Sequence, residues 1–230
     1  MQTETRTRDR RAVVRDALGV GIAVGVSGVA FGGTAVAGGL TVAQACALSL
    51  LAFTGASQYA LVGAVAGGGN PLFGVVGAVL LGSRSSLYGL RLGPVLGLSR
   101  PARLGAAHFV IDETTVVTLA QRDRPSARLG FSVTAVSLFV LWNATTLAGA
   151  LGATALGDPT RYGLDVAGPA AFLALLVPQL RGGRAQRVVA VLAVLIALGT
   201  SPLLPSGVPI LLAVLAVPLV LLVRRGKEDR

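Results

Sequence analysis

From Ala17 to Ser83 the chain carries no Lys, Arg, Asp or Glu. A helix of a soluble domain keeps one polar face toward water. An uncharged run more than three times the ~20 residues that cross a bilayer core has no such face to offer. The rest of the chain agrees, with 53% apolar and only 13% charged residues over 230 positions, about half the charged share of a soluble domain. The expectation is an all-α, polytopic transmembrane helical bundle.

Gly, Pro and charge punctuation divides the apolar sequence into segments near 17–38, 42–66, 71–97, 105–121, 129–152, 164–180, 187–200 and 206–223. A basic segment 1–16 precedes a single transmembrane domain, 17–223, and a charged tail, 224–230, follows it. An N-terminal signal peptide with a cleavable Ala35-Val36-Ala37 triplet is the weaker reading, because the apolar run exceeds an ordinary signal core and more spans follow.

The formal charge of +10 raises nucleic acid as a partner. Its distribution argues against this. Arg6, Arg8, Arg10, Arg11 and Arg15 precede the first apolar run, while Arg224, Arg225, Lys227 and Arg230 follow the last. Such flanks set topology and meet anionic lipid. Basic loops 122–128 and 181–187 place both termini in the cytoplasm, but eight simple crossings would put Arg91, Arg100 and Arg103 outside. If 42–66 and 105–121 dip in and return, six crossings remain. Both counts stay open at this stage.

Cys46 and His108 are each the only residue of their kind, so no disulfide and no His/Cys metal centre is expected, nor any cofactor. Phosphate-loop and hydrolase motifs are absent as well, which speaks against an enzyme. Glycines four apart, Gly21/Gly25, Gly28/Gly32, Gly63/Gly67, Gly89/Gly93 and Gly93/Gly97, let helices approach closely in lipid, within the chain or between subunits.

Polar groups inside apolar runs are the informative positions, since a charge at the bilayer centre costs ~3 kcal/mol. Arg84 lies near the middle of 71–97, with Tyr88 one turn beyond. Phe53-Thr54-Gly55-Ala56-Ser57-Gln58-Tyr59 interrupts 42–66, where Gly55 can break the helix and a half-helix beginning there would aim free N–H groups at an anion. Asp112 and Glu113 are adjacent, so they do not share a helix face, and one of them can pair with Arg84. Asp165 opens the segment at 164. For each site a purely structural role competes with a functional one.

In this order, the Phe53–Tyr59 cluster, Ser83-Arg84 with Leu87-Tyr88-Gly89, Asp112-Glu113-Thr114, and Leu164-Asp165 through Pro169 to Pro178 resemble the AzlC family. The resemblance runs from about Gly19 to Pro178. It implies the large subunit of a bacterial branched-chain amino-acid exporter, placed in the cytoplasmic membrane and working with a small AzlD-like membrane subunit. Relatives commonly have Asn and His where this chain has Gly82 and Ser85. If that His carries protons in relatives, Asp112 or Glu113 takes the task here. On this reading Arg84, Gly55, Ser57, Gln58 and Tyr88 bind the substrate, and Asp112, Glu113 and Asp165 couple protons or form ion pairs. A non-transporting membrane scaffold is the alternative, and an intramembrane enzyme a distant third.

Overall fold

The computed structural model describes residues 2–157, 180–204 and 208–228, with positions 170, 173, 176 and 177 between them. Every regular element among the described residues is helical. α1 (Gln2–Gly25) and α2 (Gly28–Ala37) are followed by α3 (Val42–Leu51), α4 (Ala56–Ala66), α5 (Pro71–Gly82) and α6 (Arg84–Leu96). Then come α7 (Arg100–Ala107), α8 (Asp112–Leu119) and α9 (Arg124–Ala155), and after them the helices Arg184–Thr200, Val208–Ala213 and Ala216–Glu228. α1 begins at Gln2, so the basic segment expected ahead of the first span forms the opening turns of the same helix.

Among the described residues, three helices are long and apolar enough to cross a membrane: Arg10–Ala37, Pro71–Leu96 and Arg124–Ala155. Two are kinked. Ser27 Oγ donates to Val24 O at 2.6 Å where α1 passes into α2, and Ser83 Oγ donates to Leu80 O at 2.6 Å where α5 passes into α6. Serine hydroxyls bonded to a preceding carbonyl bend helices in this way. α9 instead runs unbroken for 32 residues from an Asp123 cap, whose carboxylate accepts the Ser126 N–H at 2.9 Å, with Pro125 in the first turn.

α1 and α2 lie against α9 along a line of glycines. Gly21 faces Ser137, Gly25 faces Leu141, Gly28 faces Trp142 and Thr145, and Gly32 faces Thr146 and Ala150. Numbers rise together on both sides, so the two long helices run parallel. Thr145 Oγ1 donates to Gly25 O at 2.6 Å and fastens the contact. Of the two uses open for these glycines, Gly21 to Gly32 serve packing within the chain. Gly89 and Gly93 differ: no atom lies within 4 Å of the place where their Cβ would stand.

The intervening chain must therefore return from the far end of α2 to the near end of α9. α5 and α6 make that return. Arg128 of α9 donates to Leu96 O and Gly97 O at 2.6 and 2.7 Å, and Arg124 donates to Pro94 O at 3.2 Å, which ties the end of α6 to the start of α9. Gly97, at φ +54, turns the chain there.

α3–α4 and α7–α8 do not run end to end; each folds back. Ser49 of α3 meets Thr146, and Phe53 meets Phe139, so α3 runs antiparallel to α9. α4 then runs parallel to α2, with Tyr59 on Phe31 and Val62 and Ala66 beside Gly38. α7 leaves the end where α9 starts and brings His108 to Phe139, and α8 returns until Val117 and Gln121 flank Gly130. The segments expected at 42–66 and 105–121 are thus two helical hairpins entering from opposite ends. The segment expected at 164–180 lies mostly outside the described residues, and Asp165 wholly so.

A Cβ at position 32 would collide with the Thr146 carbonyl, and one at 149 with the Val29 carbonyl, whereas Gly152 has open space. Gly32→Ala and Gly149→Ala are expected to destabilise the detergent-solubilised protein by about 1–3 kcal/mol, the usual cost of overpacking. Gly152→Ala should be neutral or slightly stabilising. Thermal unfolding of the three variants checks this.

Candidate functional site

The tips of the two hairpins meet near the midpoint of α9. In the first, the chain leaves α3 at Leu51 and re-enters helix at Ala56, through Gly55 at φ +62 and ψ −81. This conformation is closed to other residues without strain. The break exposes carbonyls at the end of α3, and Gln58 answers them: its Nε2 donates to Leu48 O at 3.2 Å and to Ser49 O at 3.4 Å. Gln58 is fully buried, and its Oε1 has no partner among the described residues. Gly55 offers no side chain to cap α4, so the positive end of that helix is left open.

In the second hairpin, Thr114 takes the stitching role. Its Oγ1 accepts the Ile111 N–H at 3.1 Å and donates to Phe109 O at 2.7 Å, holding the non-helical turn between α7 and α8. Asp112 and Glu113 stand in the first turn of α8, where carboxylates suit the helix dipole. The two tips touch through rings: Phe53 of the first packs on His108 at 6.2 Å and on Phe109 at 6.3 Å, and all three surround Phe139 of α9. His108 thus belongs to an aromatic cluster. Among the described residues, no His/Cys/Asp/Glu group of metal-binding size occurs.

Where the tips and the two kinks converge there is a cavity of about 280 Å³, near the lower end of the range for small-molecule sites. Gly55, Ala56 and Phe53 contribute from the first tip, Ile111, Asp112 and Glu113 from the second, and Arg84 from the start of α6. Ser27, Tyr59, Leu138 and Trp142 complete most of the wall. Arg84 Nη2 and Asp112 Oδ2 are 2.5 Å apart. Arg84 follows Ser83 at the junction of α5 and α6 and meets Asp112 at the start of α8. Glu113, which also lines the cavity, has no ion-pair partner among the described residues.

Of the residues singled out from the sequence, Arg84, Gly55, Asp112 and Glu113 come together at this cavity. Tyr88 stands beside Asp112, next to the cavity but not in its wall. Ser57 and Gln58 lie buried behind it, in the packing that holds the first tip. Asp165 is outside the described residues. Phe53 and Tyr59, the ends of the cluster read from the sequence, also line it, whereas Ser27, Leu138 and Trp142 stand in no cluster that the sequence marks. Ser27 and Trp142 left a trace, one of two hydroxyls in 17–38 and the chain's single tryptophan, but nothing in the sequence places them at one cavity with Arg84.

Two substitutions test how the site is held. Gln58→Leu removes the Nε2 donor from the Ser49 carbonyl and leaves Leu48 O with the Ala52 N–H alone, and is expected to cost about 1–3 kcal/mol. Gly55→Ala meets no atom within 4 Å, so its cost is backbone strain alone, again ~1–3 kcal/mol. Unfolding midpoints in detergent read both. Arg84→Gln should lower stability more than the double variant Arg84→Gln/Asp112→Asn, because the single change strands a carboxylate. The difference should fall between ~1 kcal/mol for an exposed pair and the ~3–5 kcal/mol of a fully buried one.

Among curated proteins and among solved structures nothing matches this chain. The model of one protein family, described as AzlC protein, matches residues 19–156. That range takes in both hairpins, both kinks and every residue of the cavity wall. It covers more than half of the chain and agrees with the resemblance read from the polar clusters. The chain belongs to the AzlC family, a transport-associated family of membrane proteins.

Proposed function

We propose that this chain is the large subunit of a secondary exporter for branched-chain or similar small apolar amino acids. The observation that carries the reading is the Arg84–Asp112 pair with Glu113, set in an otherwise mostly apolar cavity where two helical hairpins and two helix kinks meet. Charged groups are costly at membrane depth and persist there mainly for transport or ion pairing. A zwitterion with an aliphatic side chain complements this set. Its carboxylate would lie between Arg84 and the uncapped start of α4, its ammonium at Glu113, and its side chain against Phe53, Leu138 and Trp142. Asp112 or Glu113 would carry the coupling proton. Exchange of partners by Arg84, from Asp112 to the substrate, would link binding to release of Asp112 for protonation.

The membrane arrangement proposed with it has three complete crossings up to Ala155, α1–α2, α5–α6 and α9, with α3–α4 and α7–α8 as re-entrant hairpins. The ends carrying Arg10–Arg15, Arg91–Arg103 and Arg122–Arg128 then share one side, which the positive-inside tendency assigns to the cytoplasm of a bacterial inner membrane. This removes the conflict over Arg91, Arg100 and Arg103. Both counts of spans agree after residue 122; they differ at 67–70 and at 98–99.

A small AzlD-like membrane subunit would cover α5 and α6. Pro71–Leu96 buries 6% of its most apolar window, against 44% for Arg10–Ala37 and 33% for Arg124–Ala155. Leu87 and Leu90 are 67% and 76% exposed there, Gly89 and Gly93 are unopposed, and the Arg84 and Asp112 side chains are still 36% and 39% exposed. A close-packing helix would shield that ion pair from lipid.

The test is export of labelled valine or leucine from cells loaded with dipeptide, expressing this chain with its genomic small-subunit partner. Glu113→Gln at unchanged abundance, and the double variant Arg84→Gln/Asp112→Asn with flux counted per molecule of protein, should each reduce export at least ~10-fold, the effect of losing about 1.4 kcal/mol. The competing reading, a non-transporting scaffold, draws on the closed Arg84–Asp112 pair. It expects Arg84→Gln to lower assembly and abundance, with no flux in the parent protein. For topology, in a Cys46→Ser background, a cysteine at Gly69 should react with an impermeant thiol reagent from outside the cell and one at Ser99 only after permeabilisation. Eight simple crossings expect the reverse.

A further inference from the structure

A second concavity lies well away from the charged cavity, on the flank of α1. Its wall is made by Arg10, Arg11, Val14, Arg15, Leu18, Gly19 and Ile22, closed on one side by Leu129 of α9. Arg10, Val14, Leu18 and Ile22 recur at every fourth position and form one ridge, while Arg11, Arg15 and Gly19 form the next. Both ridges are charged at one end and apolar at the other. Between them runs an open groove of about 780 Å³.

Gly19 shapes the groove. Nothing lies within 4 Å of the place its Cβ would occupy, so unlike Gly21 and Gly25 this glycine does not admit a neighbouring helix. It leaves a notch beneath the arginines. From Arg15 to Ile22 the apolar part extends ~10 Å, seven rises of 1.5 Å, enough for the upper part of an acyl chain. Leu18 and Ile22 are 38% and 52% exposed and line it. At its head Arg15 reaches Asp16 at 3.2 Å, but both side chains are open to solvent. The three arginines less that one carboxylate leave a local charge of +2.

We propose that this groove is a binding site for an anionic phospholipid, with its phosphate at Arg10, Arg11 and Arg15 and one acyl chain against Val14, Leu18, Gly19 and Ile22. Charge complementarity selects the headgroup, and the adjoining apolar channel selects a lipid over a soluble anion. The order of the two along α1 matches a bilayer leaflet, with headgroup level above and hydrocarbon below. Anionic lipid is concentrated at the cytoplasmic surface, the side to which the basic end of α1 is assigned. The site requires only that α1–α2 spans the bilayer, and it stands whether or not the chain transports amino acids. Its consequence would be to anchor the α1–α9 pair, against which both hairpins pack.

Native mass spectrometry of the full chain, released from detergent with defined amounts of phosphatidylglycerol or phosphatidylcholine, tests the site. The parent protein is expected to retain phosphatidylglycerol in preference to phosphatidylcholine. Each Arg→Gln change at 10, 11 or 15 should weaken retention by ~5-fold, the equivalent of the ~1 kcal/mol that a basic residue contributes at an anionic surface. Gly19→Leu keeps every charge and fills the notch; it should lower retention comparably. Gly19→Ala, with space around it, should retain the lipid. Equal binding of the two lipids would overturn the proposal, as would a folded Gly19→Leu protein that holds phosphatidylglycerol like the parent, since the arginines would then act only as a diffuse basic surface.

Discussion

The Thr146 carbonyl stands where a Cβ on residue 32 would have to be, and the Val29 carbonyl does the same for residue 149. This approach of two backbones recurs at Gly28 against the Trp142 carbonyl and, with Gly21 and Gly25 receiving the Ser137 and Leu141 side chains, binds α1–α2 to α9 along most of their length. Lipid provides little hydrophobic drive for helices to associate, so close van der Waals contact and the Thr145–Gly25 hydrogen bond must hold them. Because the two helices run parallel, the chain between them has to come back once. α5–α6 makes the return, and the two hairpins are what remains of the intervening sequence.

Each hairpin tip interrupts a helix deep in the bundle, where backbone groups deprived of partners cost several kcal/mol in hydrocarbon. The chain solves this twice with different side chains. Gln58 reaches back across the first break to the carbonyls of α3, and Thr114 accepts and donates across the second. The rings of Phe53, His108, Phe109 and Phe139 then join tip to tip. Only with both breaks stabilised can Arg84 and the acids of α8 face one cavity. The charged site is therefore a consequence of how two interrupted helices satisfy their backbones.

That coupling gives Gln58 a structural task, whatever else it does. A polar residue next to a helix-breaking glycine in an apolar run has two uses, contact with a solute or repair of the break, and both require the same composition. Distance to the α3 carbonyls establishes the second. Arg84 and Asp112 were legible because opposite charges inside apolar segments have few alternatives to pairing or solvation. Glu113 was legible for the same reason, but which of two adjacent acids would take the arginine was not. Leu138 could not be distinguished from any other apolar residue, since nothing local marks a wall of a cavity.

The sequence by itself determined that the chain is helical and membrane-embedded, that a helix breaks at Gly55, and which few charges have to be accommodated within apolar segments. These follow from local terms: hydropathy over ~20 residues, the conformational freedom of Gly55, and the desolvation of Arg84, Asp112 and Glu113. Only the tertiary structure decided that the broken segments fold back, that the long helices run parallel, and that the charges of α6 and α8 share one cavity. Direction and juxtaposition depend on contacts between residues more than a hundred positions apart, such as Gly32 with Thr146 and Gly25 with Thr145. No local property of either partner specifies the other.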